Sequence, residues 1–213
     1  MANMKKKKLI VALLLVVLAV LLLLAMIPLF LWLFQEPEPT YSYKFADPAL
    51  SADIYADEDY MGLDRAIYYT TGQGAYEFKN ALREEDYTSC NKAVQLLIKL
   101  VQAAQAGDAS AYNACFSSEY ISKEGEFAPF TMQKIYDINI REYNTSSSQT
   151  KLPGTYKELY VYGLSYKIKD NNGSLRNDMG SDASREQFIS VVIDQSGQAW
   201  VYGVQVMNYR PAS

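Results

Sequence analysis

Residues 9–34 contain no charged side chain, and this run constrains the chain more than any other feature. As a helix it would be ~39 Å long against a bilayer core of roughly 30 Å, long enough to span with tilt. The expectation is a transmembrane helix over 9–34. Lys5, Lys6, Lys7 and Lys8 precede it, and clustered lysines stay on the cytoplasmic side. The expected protein is therefore single-pass in the cell membrane, with a cytoplasmic basic tail at 1–8 and the C-terminal domain outside. A cleaved secretory signal is the competing reading, but its apolar core is about 7 to 15 residues and ends in small side chains. Here the run closes on Phe30-Leu31-Trp32-Leu33-Phe34.

Charge divides the remainder. Between residues 36 and 86 acids outnumber bases three to one, whereas residues 87–213 carry equal numbers. Residues 35–74 read as an acidic stalk, stiffened by Pro37, Pro39 and Pro48 and extended by its charges. Its tyrosines, among them Tyr60, Tyr68 and Tyr69, make it less polar than a pure spacer, so a solvated linker and a docking segment both remain open. Two motif-like strings fail here. Asp57, Asp59 and Gly62 match a calcium loop, but Met61 and Tyr68 stand where ligands are required. Gly72-Gln73-Gly74 begins a dinucleotide fingerprint whose third glycine is Glu77.

Residues 75–213 read as one extracytoplasmic domain. A short helix is expected over 75–85, and a longer one on the i, i+3, i+4, i+7 pattern of Val94, Leu97, Ile98 and Val101. Gly107 stops it and Asp108 caps the next, 109–120. A third helix is expected over 130–137. Strands are expected over 138–143, 157–169, 187–194 and 199–209, where apolar and polar residues alternate. Helices before strands in one unit predict an α+β fold, with helices packed on a curved, mainly antiparallel sheet of about four strands. A chain beginning at Thr71 is expected to fold by itself.

Three stretches carry a resemblance: Ala103-Ala104-Gln105-Ala106-Gly107-Asp108, Tyr160-Val161-Tyr162-Gly163-Leu164-Ser165-Tyr166 and Gly197-Gln198-Ala199-Trp200-Val201-Tyr202. With the order of helices and strands, residues 89–207 resemble the cone-shaped fold of the nuclear transport factor 2-like superfamily. The resemblance implies an extracytoplasmic module behind a single anchor, as in Gram-positive cell-envelope and conjugation proteins, where such domains serve mainly in non-catalytic assembly.

The chain has no histidine, which removes Ser-His-Asp and Cys-His catalysis and His-ligated metal. The even charge balance of the folded part and the acidic stalk exclude nucleic acid as a partner. The expected function is a protein-interaction or assembly module, non-catalytic and without cofactor or metal, its partner an envelope protein or a second copy. The expected surface comprises Tyr160, Tyr162, Tyr166, Trp200 and Tyr202 on the strands, with Tyr60, Tyr68 and Tyr69 of the stalk. Tyrosines on one strand face also serve as core, in which case the face bearing Gly163 and Ser165 is exposed. The alternative is a small-ligand or isomerase-like pocket in the cone, for which Asp137, Glu119 and Glu142 are the carboxylates, with Tyr112, Tyr120 and Tyr136 nearby in sequence. An exterior location permits a disulfide between Cys90 and Cys115, although helical registry separates them by roughly 13 Å along the axis. Two buried free thiols are the other outcome.

Overall fold

A computed structural model describes residues 43–47, 53–71, 78–144 and 152–206. The anchor segment 9–34, Pro48 and the Gly72-Gln73-Gly74 string lie outside the described residues. A 3-10 turn at Ile54–Ala56 and a short helix α1 (Glu58–Met61) come first. β1 (Ile67–Thr71), β2 (Phe78–Leu82) and a second 3-10 turn (Glu84–Ser89) follow. Three helices come next: α2 (Lys92–Ala106), α3 (Ala109–Asn113) and α4 (Ser118–Glu124). The chain then runs through β3 (Lys134–Asn144), β4 (Tyr156–Lys169), β5 (Gln187–Asp194) and β6 (Ala199–Val206). The strand order is β2-β1-β3-β4-β5-β6, and only the β1–β3 pair is parallel.

The described chain is α+β, but it corrects the expected architecture. No helix among the described residues is long and apolar enough to cross a membrane. The sheet has six strands where about four were expected, and it is mixed because the β1–β3 pair is parallel. The two additional strands come from segments read as stalk and as helix. β1 lies inside the acidic segment and inserts between β2 and β3, with Ile67 opposite Ile138 and Tyr69 opposite Ile140. β2 stands where a helix was expected, because pairing with β1 supplies the backbone partners that a short, weakly apolar sequence would not obtain alone.

The helix expected over 130–137 is instead irregular chain up to Gln133 followed by the first four residues of β3, and the cause is local. Asp137 adopts φ 51 at a register shift between Tyr136 and Asn139, a bulge that breaks the period-two alternation. Ile135 and Ile138 consequently both reach the core, each with 0% exposure. Their three-residue spacing imitates a helix. The helix expected over 109–120 is divided into α3 and α4, because the chain between them pairs with the sheet: the Val201 amide donates to the Cys115 carbonyl at 2.8 Å and Ser117 donates to Val201 at 2.9 Å.

α2 forms as its periodicity predicts. The Asn91 side chain caps it by accepting the Val94 amide, and Gly107 ends it at φ 67. A Cβ at Gly107 would also lie 2.6 Å from the Met132 backbone nitrogen, so no other residue fits there without displacing the chain. Val94, Leu97, Ile98 and Val101 are buried in one cluster with Ile138, Ile140, Leu164 and Ile189 of the sheet. Burial of each such aliphatic side chain stabilises by about 1.5–3 kcal/mol.

The expected stalk is thus partly fold. Ile54 and Tyr60 are buried with Tyr136 in a second, smaller cluster, and the Tyr60 hydroxyl donates to the Ile135 carbonyl at 3.0 Å. The Asp137 amide donates to the Asp64 carbonyl, so residues 53–64 occupy the edge of β3 that β1 leaves open. Accordingly a chain beginning at Tyr43 is predicted to unfold cooperatively in denaturant, and one beginning at Thr71 to lack a cooperative transition. In the longer chain Tyr60→Ala should cost about 3 kcal/mol. A cooperative transition in the chain from Thr71 would show that β1 and α1 are dispensable.

Candidate functional site

The pleat of β4 sorts its side chains onto two faces. Tyr162, Leu164, Tyr166 and Ile168 turn toward the helices and are buried. Tyr60, Tyr162 and Tyr166 are therefore core residues and leave the expected interaction surface. The other five expected positions are half-buried, and they separate. Tyr202 lies against Tyr156, whose hydroxyl donates to Glu119 on α4. Tyr69 and Tyr160 stay on the helix side. Tyr68 and Trp200 face the opposite way, since their neighbours Ile67, Ala199 and Val201 belong to the core.

That opposite face has a continuous apolar row. Leu159 pairs with Val192 and Val192 with Trp200 across β4, β5 and β6. Val192 is buried, while Leu159 and Trp200 are half-exposed. The Trp200 indole N–H is fixed by Asp194 at 3.0 Å. Beside the row, the Tyr143 and Phe188 rings meet at a tilt, 5.1 Å between centres, and the Tyr143 hydroxyl donates to Glu186 at 3.0 Å. Tyr143 and Glu186 lie over Gly163, where a Cβ would stand 2.6 Å from the Tyr143 ring. The glycine that sequence reasoning placed on an exposed face is covered by these two side chains. Leu159, Val192, Phe188 and Tyr143 were not singled out from sequence, although their alternation with the core positions was the available signal.

The interior is occupied by rings. Tyr112 meets Phe127 edge-on at 4.9 Å and Phe130 at 5.4 Å, and Phe116 lies 5.1 Å from Phe127. Arg176, 4% exposed, reaches in beneath Tyr166 at 5.4 Å and forms a paired contact with Asp178 at 2.6 and 2.9 Å. The three carboxylates considered for a pocket take separate partners. Asp137 pairs with Lys167 at 2.8 Å, Glu119 accepts from Tyr156, and Glu142 accepts from Tyr69. Tyr136 donates to Asp182 instead of joining any of them.

Both cysteines are free thiols. Cys90 donates to the Asp86 carbonyl and Cys115 to that of Ala111, so the disulfide does not form. Burial pushes the Cys115 thiol up to about 11, which leaves it protonated and a weak nucleophile at neutral pH.

The calcium-like string has a structural role. Asp57 caps α1 by accepting the Tyr60 amide at 3.0 Å, and it also receives Lys134 at 2.6 Å and Lys169 at 2.8 Å. Asp170 completes the cluster from the other side of both lysines, at 2.9 and 3.1 Å. A groove of about 330 Å³ opens beside it, lined by Met132, Gln133 and Ile168 among others. No group of acidic or cysteine side chains among the described residues is arranged to hold a metal ion.

The lysine contacts hold the Asp57 carboxyl well below the usual carboxylate range. A depressed carboxyl stabilises the fold above its unfolded value near 4 and loses that contribution as pH falls through the folded value. Asp57→Asn is therefore predicted to lower the melting temperature at pH 7, with the gap to wild type narrowing below about pH 4. A gap that stays constant from pH 7 to pH 2 would show that the ion pairs do not tie α1 to the sheet.

No family model matches the sequence, and no curated protein or solved structure matches it either.

Proposed function

We propose that this chain is a membrane-anchored assembly module whose sheet face opposite α2 receives a protein partner in a cell-envelope complex. The supporting observation is the row Leu159–Val192–Trp200 with Tyr143 and Phe188 beside it, an apolar strip on the sheet face opposite α2. Aromatic side chains on such a strip supply contact area at low entropic cost, and interface cores are enriched in them. The uncharged run at 9–34 behind four lysines supports a single membrane anchor with the amino terminus in the cytoplasm. Anchoring confines the domain near membrane partners, so a modest surface suffices for binding. The relation to the nuclear transport factor 2-like superfamily is part of the same proposal, supported by helices laid on one face of the sheet.

A non-catalytic role is favoured over the pocket reading because Asp137, Glu119 and Glu142 take separate partners and aromatic rings occupy the space beneath α3. The test places a photo-crosslinking residue at Trp200 or Phe188 of the full chain in its native membrane. Discrete protein adducts at both positions are expected, with Leu159→Ala reducing their yield at least about fivefold. Lipid adducts alone, together with turnover or tight binding of a small molecule by the purified protein, would replace the assembly reading with the pocket reading.

A further inference from the structure

β6 ends the strand order, with β5 on one side and a free edge on the other. That edge already carries an added strand from the chain itself. The linker between α3 and α4 lies along it in parallel, Phe116 opposite Val201. The Val201 amide donates to the Cys115 carbonyl at 2.8 Å and the Ser117 amide to the Val201 carbonyl at 2.9 Å. Val201 therefore turns both of its backbone groups away from β5.

The register fixes the backbone direction along the rest of the edge. Val191 stands opposite Val201, and Ile189 opposite Val204. β5 keeps an unbroken register against β4 from Ile193 to Gln187, so its backbone groups alternate sides regularly and those of Val191 and Ile189 both point toward β4. β6 absorbs the register shift through one extra residue, Tyr202. Val204, like Val201, therefore directs its N–H and C=O to the free edge, and so does Val206 opposite Gln187. At Val204 the linker has left the edge, because Ser117 caps α4 and the chain turns away. A groove of about 370 Å³ opens there between β6 and α4, lined by Tyr120, Lys123, Tyr202 and Val204 among others. Gln205 beside it is exposed. Lys123 and Glu124 neutralise each other at 2.6 Å, and Glu119 accepts from Tyr156, so the groove presents tyrosine rings and outward backbone groups. An added strand exchanges the hydration of such groups for ladder bonds, which is how a sheet edge recruits an extended peptide.

We infer that the β6 edge at Val204 and Val206 takes an extended segment of the protein partner as a further strand, with an apolar or aromatic side chain of that segment seated between β6 and α4. The inference rests on the assembly reading for the kind of partner and adds the manner of attachment. The apolar row Leu159–Val192–Trp200 ends on this same strand, so one partner meets both the edge and the face. A few ladder bonds suffice because anchoring confines the two proteins to one membrane.

The test compares the full chain in its native membrane with the same chain purified in detergent. Hydrogen exchange at the Val204 amide, resolved by electron-transfer fragmentation, should be at least about tenfold slower in the membrane. Equal rates would overturn the inference. Val204→Pro removes an N–H that the β5–β6 ladder does not use, and proline is tolerated at such an edge position. It should cut the yield of protein photo-adducts at Trp200 at least about fivefold while shifting the melting temperature of the purified protein by no more than about 3 °C. If proline disturbs the strand, an ester in place of the Gly203–Val204 amide removes the same N–H with the side chain kept, and should cut the yield at least about threefold. A photo-crosslinking residue at Lys123 should join one continuous stretch of the same partner; adducts spread over unrelated proteins would overturn the inference. Protection of Val204 that appears in the purified protein as its concentration is raised would assign the edge to a second copy and overturn it as well. Adducts at Trp200 unchanged by both Val204 variants would refute the inference while leaving the assembly reading intact. Absence of any protein adduct at Trp200 with Val204 unaltered would refute the assembly reading itself, and the partner strand with it.

Discussion

The rest of the structure depends on one long helix lying against one face of the sheet. α2 inserts Val94, Leu97, Ile98 and Val101 among Ile138, Ile140, Leu164 and Ile189, and the shorter helices α3 and α4 follow it onto the same side. Because side chains alternate along a strand, covering one face determines the fate of every second residue on β1, β3, β4, β5 and β6. Tyr162 and Tyr166 become core, and Leu159, Val192 and Trp200 are left facing away. The difference between the two sheet faces is thus a consequence of helix packing.

Charge then ties the flanking segments to this two-layer frame. Asp57 and Asp170 close on Lys134 and Lys169, which attaches the segment around α1 to β3 and β4. On the loop between β4 and β5, Asn171 donates to the Arg176 and Met179 carbonyls, and Arg176 grips Asp178. The segment at residues 43–47 rests on the same loop: Ala46 donates to the Asn171 carbonyl, and the Phe45 ring lies where a Cβ on Gly173 would meet it at 3.0 Å. An irregular loop is thereby held rigidly enough to receive the start of the domain.

Legibility varied with how much of each pattern was local. α2 was readable because its cap, its stripe and its terminating glycine all lie within the helix. The strands of β4, β5 and β6 were readable from alternation. β3 was only half readable, since the bulge at Asp137 sets Ile135 and Ile138 three apart on one face and imitates a helix. β1 and β2 were misread because acidic neighbours and a short weak stripe conceal strands whose stability comes from pairing with distant residues. Of the residues expected on the interaction surface, Trp200 and Tyr68 face away from the core, whereas choosing between core and surface for Tyr162 and Tyr166 required knowing which face α2 covers. The contact between Tyr69 and Glu142 depends on the β1–β3 register, which no local pattern contains.

The central claim is that the apolar row on the face opposite α2 is occupied by a partner in the native membrane. Hydroxyl-radical footprinting tests it most directly by comparing native membranes with the purified protein. The account predicts strong oxidation of Trp200, Phe188 and Tyr143 in the purified protein and their protection in the membrane, with Tyr162 and Tyr166 protected in both. Equal oxidation of Trp200 and Phe188 in the two preparations would contradict it.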